Sequence, residues 1–149
     1  MIKLVTDPAA EEIDTIPIIT TIDSLGGLDL VKADSKTERQ DIEKYIFTVT
    51  GEVKKVSRHR DGDIKVKLVS DSERYLNCES PNIGCTFAGS SKFYDKLEGV
   101  REFLEQNEDS LVGMNLTVTG VAFIDISHPY PRNAAENNIE LHPILDVTY

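Results

Sequence analysis

The sequence predicts a mainly β domain, a five-stranded barrel with one α-helix between the third and fourth strands. Three observations predict it. β-Branched and aromatic residues alternate with other residues in short runs from Tyr45 onwards, the pattern of strands. Only the segment around Phe93, Leu97, Val100 and Leu104 changes to helical spacing. The order along the chain is three meandering strands, that helix, then two strands.

Residues 1–44 read as an acidic, weakly ordered arm that docks on the barrel, and residues 45–149 as the barrel domain. In the arm, Ile16-Pro17-Ile18-Ile19 is apolar enough to dock as an edge segment, and Thr21-Ile22-Asp23-Ser24-Leu25-Gly26-Gly27 is turn-like. The first barrel strand opens at Tyr45, where Tyr45, Phe47 and Val49 alternate with Ile46, Thr48 and Thr50. Gly51 marks a kink or bulge, and Val53 and Val56 carry the strand on. Asp61-Gly62 is a strong hairpin signal. In the second strand Ile64, Val66 and Leu68 face one way, Lys65 and Lys67 the other. Asp71-Ser72-Glu73 turns the chain into a third strand, Tyr75 to Glu79, with Leu76 and Cys78 inward. A Gly/Ser/Asn-rich loop over 81–91 leads to the helix, expected over about 92–107. Met114 to Phe123 is the fourth strand, with Leu116 and Val118 inward and a bend at Gly120. Ile139 and Leu141 alternate with Glu140 and His142 in the last strand, which Pro143 is expected to break. This order is that of the oligonucleotide/oligosaccharide-binding (OB) barrel.

Composition sets limits on function. The chain has 149 residues, enough for one domain with one core. No apolar run approaches the roughly 18–20 residues of a membrane-spanning helix. The start, Met1-Ile2-Lys3-Leu4-Val5-Thr6-Asp7, lacks the apolar stretch of a signal peptide. A cytoplasmic location is therefore the default, with a trimmed export signal left open. A net charge of −10 argues against general coating of nucleic acid. Lys54, Lys55, Arg58, His59, Arg60, Lys65 and Lys67 nevertheless form a local basic hairpin that suits phosphate, or serves as the charged edge that keeps a sheet from aggregating. Cys78 and Cys85 lack zinc-site spacing; the alternatives are a disulfide across the intervening loop or two separate thiols.

Two residue sets carry potential chemistry. The hairpin pairing brings Asp63 and Glu79 to one edge of the sheet, as a hard-cation site (Ca²⁺ or Mg²⁺) or as a solvated rim. Asp125, His128, Glu140 and His142 form a second set, able to hold a transition metal or do acid–base work if the last two strands pair. There His142 is expected outside the barrel, hydrogen-bonded and structurally fixed, facing Asp125 or His128. Arg58, Arg60, Lys65, Lys67, Arg74 and Tyr75 are candidates for ligand binding, with Tyr75, Tyr94 and Tyr130 able to stack bases.

Thr48-Val49-Thr50-Gly51, Asp61-Gly62-Asp63, Glu79-Ser80-Pro81, Val118-Thr119-Gly120-Val121 and Ile139-Glu140-Leu141-His142-Pro143 resemble an uncharacterised bacterial family with a C-terminal Glu-Leu-His-Pro signature. That family commonly has a His where Lys65 stands. More locally, Asp61-Gly62-Asp63 leading to Val66-Lys67-Leu68, with Glu79-Ser80-Pro81, is similar to the thermonuclease (staphylococcal-nuclease-like) family, also an OB barrel. That resemblance implies Ca²⁺ at Asp63 and Glu79 and a phosphate-clamping Arg74. It places Asn82 near the family's catalytic glutamate, where an amide cannot act as a base. Three functions are therefore expected in this order: a non-catalytic binding module without a required cofactor, whose ligand is single-stranded nucleic acid or another phosphate-bearing group; a divalent-metal-dependent phosphodiesterase; and a protein–protein interaction module.

Overall fold

A computed structural model describes residues 2–34, 37–84, 88–126 and 134–149. The strands are β1 (Ile18–Ile19), β2 (Ile46–Arg58), β3 (Ile64–Val69), β4 (Tyr75–Ser80), β5 (Asn115–Ile124) and β6 (Ile139–Thr148). The helices are α1 (Ile22–Gly26) and α2 (Tyr94–Asn107), with 3₁₀ turns at Ile2–Leu4, Pro8–Glu12, Asp41–Lys44 and Ala88–Ser90. β2, β3 and β4 pair antiparallel in succession, β4 pairs with β6 in parallel, and β6 and β5 run antiparallel. β5 then pairs with β2 and closes the barrel. β1 adds to β2 in parallel. The protein is thus an OB-like, mainly β barrel, with its long helix between the third and fourth barrel strands.

Alternation fills the interior. Val49, Val53, Ile64, Val66, Leu68, Leu76, Cys78, Leu116, Val118, Leu141 and Ile144 share one buried cluster. Ile22 and Leu25 of α1 join it at one end, and Val100 and Leu104 of α2 complete it. The Thr21–Gly27 stretch is a short helix and not merely a turn, because Thr21 Oγ1 accepts from Ser24 N and caps it. Gly51 is where that helix docks: a Cβ there would lie 2.6 Å from Ile22 Cδ1. The bulge of β2 falls later, between Val53 and Lys55.

The last strand differs from expectation. β6 runs through Pro143 to Thr148. Gly120 pairs with Ile144 and Ala122 with Leu141, so Val121 faces an extra residue on β6. Proline is tolerated at such a bulge because no ladder bond needs its missing N–H. Gly120 makes room for it, since a Cβ there would lie 2.8 Å from Pro143 O.

The arm covers the outer face of the closing strands. Val5, Ala10 and Ile13 cluster with Ile46, Val121, Leu145, Phe93 and Leu97. Burial of this kind contributes roughly 1.5–3 kcal/mol for a side chain such as Val5 or Ile13. Arg39 donates to both carboxylate oxygens of Asp7, at 3.0 and 2.6 Å, and to Glu43 O. Glu43 in turn accepts from Ile124 N at 2.9 Å and secures the end of β5.

Candidate functional site

Because Ile64, Leu76 and Ile139 point inwards, Lys65, Asn77, Glu79, Glu140 and His142 share the outer face of β3, β4 and β6. The ladders set Lys65 opposite Glu79 and Asn77 opposite Glu140. Asp63 joins them from the turn before β3. Gly62, at φ 91°, lets the chain turn there. Asn82 N donates to Asp63 Oδ1 at 2.7 Å, and Asn82 Nδ2 donates to Asp61 O. Arg101 of α2 donates to Gly62 O and Pro81 O at 2.9 and 3.0 Å, tying both loops beside Asp63 to the helix.

Members of the two residue sets that the sequence separated, Asp63 and Glu79 from one and Glu140 and His142 from the other, therefore share one cluster. His142 Nδ1 lies 3.2 Å from Glu79 Oε2, and Nε2 lies 3.8 Å from Asp63 Oδ2. Lys65 Nζ is 2.5 Å from Glu79 Oε1 and 3.9 Å from Glu140 Oε1. Asn77 Nδ2 donates to Glu140 Oε1 at 3.0 Å, and the Phe123 ring packs edge-on against His142. Asp63, Glu79, Glu140 and His142 are all buried, His142 completely.

The sequence sets His142 against Asp125 or His128; among the described residues, which do not include His128, it faces Asp63 and Glu79, because β6 has β4 as well as β5 for a neighbour. Neither ring nitrogen has a directed hydrogen bond among the described residues, and the 3.2 Å approach to Glu79 is an electrostatic contact. Glu140 Oε2 and Asn77 Oδ1 are also buried without a hydrogen-bond partner there.

Electrostatics follow the packing. Burial pushes the Glu79 carboxyl up, but His142 and the Lys65 ammonium more than offset this and hold it well below the carboxylate range. Glu140 is pushed up to about 7 by burial and by the charge of Glu79. Burial lowers the Lys65 ammonium, yet Glu140 and Glu79 beside it leave its pKa raised. The charge of Asp125 acts on both Lys65 and Glu140. His128 and Cys85 lie outside the described residues, whereas Cys78 is buried in the core.

The basic candidates disperse. Arg58 pairs with Glu105 and Glu108, and Lys65 with Glu79. Arg60 is exposed beside the Asp61 turn. Arg74 stands near α1, at the end of β4 away from Glu79 and about 16 Å from it along the strand. Lys67 Nζ lies 6.0 Å from the Tyr75 ring centre, on the outer face of β3 and β4. Neither Asn77 nor Arg101 is expected at this cluster from the sequence. Asn77, two residues before Glu79 on the same strand face, was the available signal; no local pattern marks Arg101.

Two carboxylates and one imidazole offer ligand atoms within 4.8 Å of one another, a set suited to a transition-metal ion. Hydrolysis of the thermonuclease type lacks support: Asn82 is occupied in holding the Asp61–Asp63 turn, and Arg74 does not reach the carboxylates.

No protein-family model and no curated protein matches the sequence. Three solved structures are similar in shape. Asparaginyl-tRNA synthetase of Entamoeba histolytica gives a TM-score of 0.48 at 18% identity, over 89% of this chain and 23% of that one. The same synthetase in complex with asparaginyl-adenylate gives 0.46 at 16% identity, with the same coverage of 89% and 23%. A protein assigned as an aspartyl-tRNA synthetase from Leishmania major Friedlin gives 0.49 at 9% identity, over 90% and 21%. This chain therefore spans less than a quarter of each of those proteins. Among the described residues no helix is long and apolar enough to cross a membrane.

Proposed function

We propose that the barrel is a non-catalytic binding module that takes a phosphate-bearing ligand, single-stranded nucleic acid, on the outer face of β2, β3 and β4. The observation that carries this reading is the placement of Lys67 over Tyr75, with Lys55 as the ladder partner of Lys67. An aromatic face receives a base and neighbouring ammoniums meet the backbone, and this is the sheet face on which OB barrels hold extended ligands. Lys55 is exposed and Tyr75 half-buried, so the ring and the charge are within reach of a ligand. The overall charge of −10 confines attraction to this patch and makes binding weak.

Fluorescence anisotropy with a short oligothymidine tests the reading. Two phosphate contacts predict a salt slope of about −1.4 on logarithmic axes. Tyr75→Ala should weaken binding by about 1–3 kcal/mol, and Lys67→Ala should flatten the salt slope. Absence of binding at low salt, or binding indifferent to both substitutions, would overturn the reading.

A further inference from the structure

We infer that Asp63, Glu79 and His142 form a binding site for one divalent transition-metal ion of the Zn²⁺ class, on the face of the barrel held by β3, β4 and β6. This site neighbours the Lys67–Tyr75 patch on the same face but uses different residues, so it does not depend on that patch binding a ligand. Three observations converge. The candidate ligand atoms lie within 4.8 Å of one another, which is within about 1–2 Å of the roughly 3.0–3.5 Å separation of donors on a metal with bonds of about 2.0–2.1 Å. The His142 ring is fully buried, and its nitrogens have no hydrogen-bond partner among the described residues although carboxylates stand beside them. Charge also favours a cation: the Asp63 and Glu79 carboxylates flank His142, and among the described residues the Lys65 ammonium at Glu79 is the one cation paired with them.

The chemistry of the donors selects the ion. Ca²⁺ and Mg²⁺ take oxygen ligands in greater number. An imidazole nitrogen with two carboxylate oxygens suits Zn²⁺ or Mn²⁺. Lys65 holds Glu79 Oε1 and leaves Oε2, the oxygen facing His142, for the ion. Lys65 and Arg101 then act as positioning residues, one fixing the Glu79 carboxylate and the other the turn that carries Asp63.

The test uses the tag-free full chain, stripped of metal and titrated calorimetrically with Zn²⁺ and, in parallel, Ca²⁺. We expect one Zn²⁺ per chain and Ca²⁺ binding at least about 100-fold weaker. His142→Gln and Asp63→Asn should weaken Zn²⁺ by about 100-fold or more, since even loss of a group supporting a ligand costs roughly 10–100-fold. His59→Gln should leave binding unchanged. Should a site variant fail to fold, crystals of the unaltered protein grown with Zn²⁺ decide the matter: an anomalous peak between Asp63, Glu79 and His142 supports the site. No Zn²⁺ binding, equal affinity for Ca²⁺, undiminished binding by folded His142→Gln, or a peak elsewhere would overturn it.

Discussion

His142 Nδ1 stands 3.2 Å from Glu79 Oε2, although the two residues sit on strands that pair in parallel across a long intervening stretch of chain. That contact joins the hairpin carboxylates to the C-terminal strand. It depends on Lys65 to compensate charge, on Arg101 to hold the neighbouring loops, and on the bulge opposite Gly120 to set the register of β6. Each dependence can be measured.

Lys65→Met removes the ammonium between Glu79 and Glu140. Breaking a buried ion pair costs roughly 3–5 kcal/mol, and partial access of water to Lys65 brings the expected loss to about 2–3 kcal/mol. Urea denaturation of the metal-free protein measures it. Lys65→Met with Glu79→Gln should recover about 1 kcal/mol of that loss; strict additivity of the two substitutions would show that the pair does not interact.

Arg101→Ala removes donors to Gly62 O and Pro81 O. Hydrogen bonds to charged groups contribute about 1.5–3 kcal/mol, and the exposed edge of this side chain places the expected loss near the lower end. The sharper readout is local. The Asn82 amide, bonded to Asp63 Oδ1, should exchange its hydrogen faster in the variant. Unchanged protection there would mean that the helix does not position Asp63.

Gly120→Ala places a methyl 2.8 Å from Pro143 O and 2.9 Å from Leu141 Cβ, which is overpacking and should cost about 1–3 kcal/mol. Gly99→Ala, in α2 with open space around it, should instead stabilise by about 0.5–1 kcal/mol. Melting temperatures that move in the same direction for both variants would contradict the packing account.

The Asp7–Arg39 contact makes docking of the arm sensitive to acid. Burial opposes ionisation of Asp7, but the hydrogen bond and charge of Arg39 prevail and hold its carboxyl below the ordinary 3.8. A lowered folded-state pKa means that the unfolded chain binds the proton more readily. The stabilisation is therefore fully present above about 3.8 and is lost as pH falls through the lowered folded value. Methyl NMR signals of Val5 and Ile13 should report release of the arm in that range. Asp7→Asn should loosen the arm at neutral pH and abolish the acid step; an acid step that survives the substitution would assign it to another group.

The local patterns of this sequence determined most of the barrel. Alternation in Ile64–Leu68 and Leu76–Cys78, the Asp61-Gly62 turn and the helical spacing from Phe93 to Leu104 are set by neighbours within a few residues, so periodicity reports them directly. The closeness of Asp63 and Glu79 follows from the β3–β4 hairpin alone. The tertiary structure decided what lies outside such windows. The parallel pairing of β4 with β6 turns His142 and Glu140 towards the hairpin carboxylates, and nothing near His142 in sequence encodes that choice. The continuation of β6 through Pro143 depends on a glycine on a different strand. The order of the arm depends on Asp7 meeting Arg39 and on Val5 and Ile13 finding apolar partners on β5 and β6. Pattern fixes which face of a strand a side chain occupies, but which charges share a buried space depends on strand neighbours chosen by the packing of the whole chain.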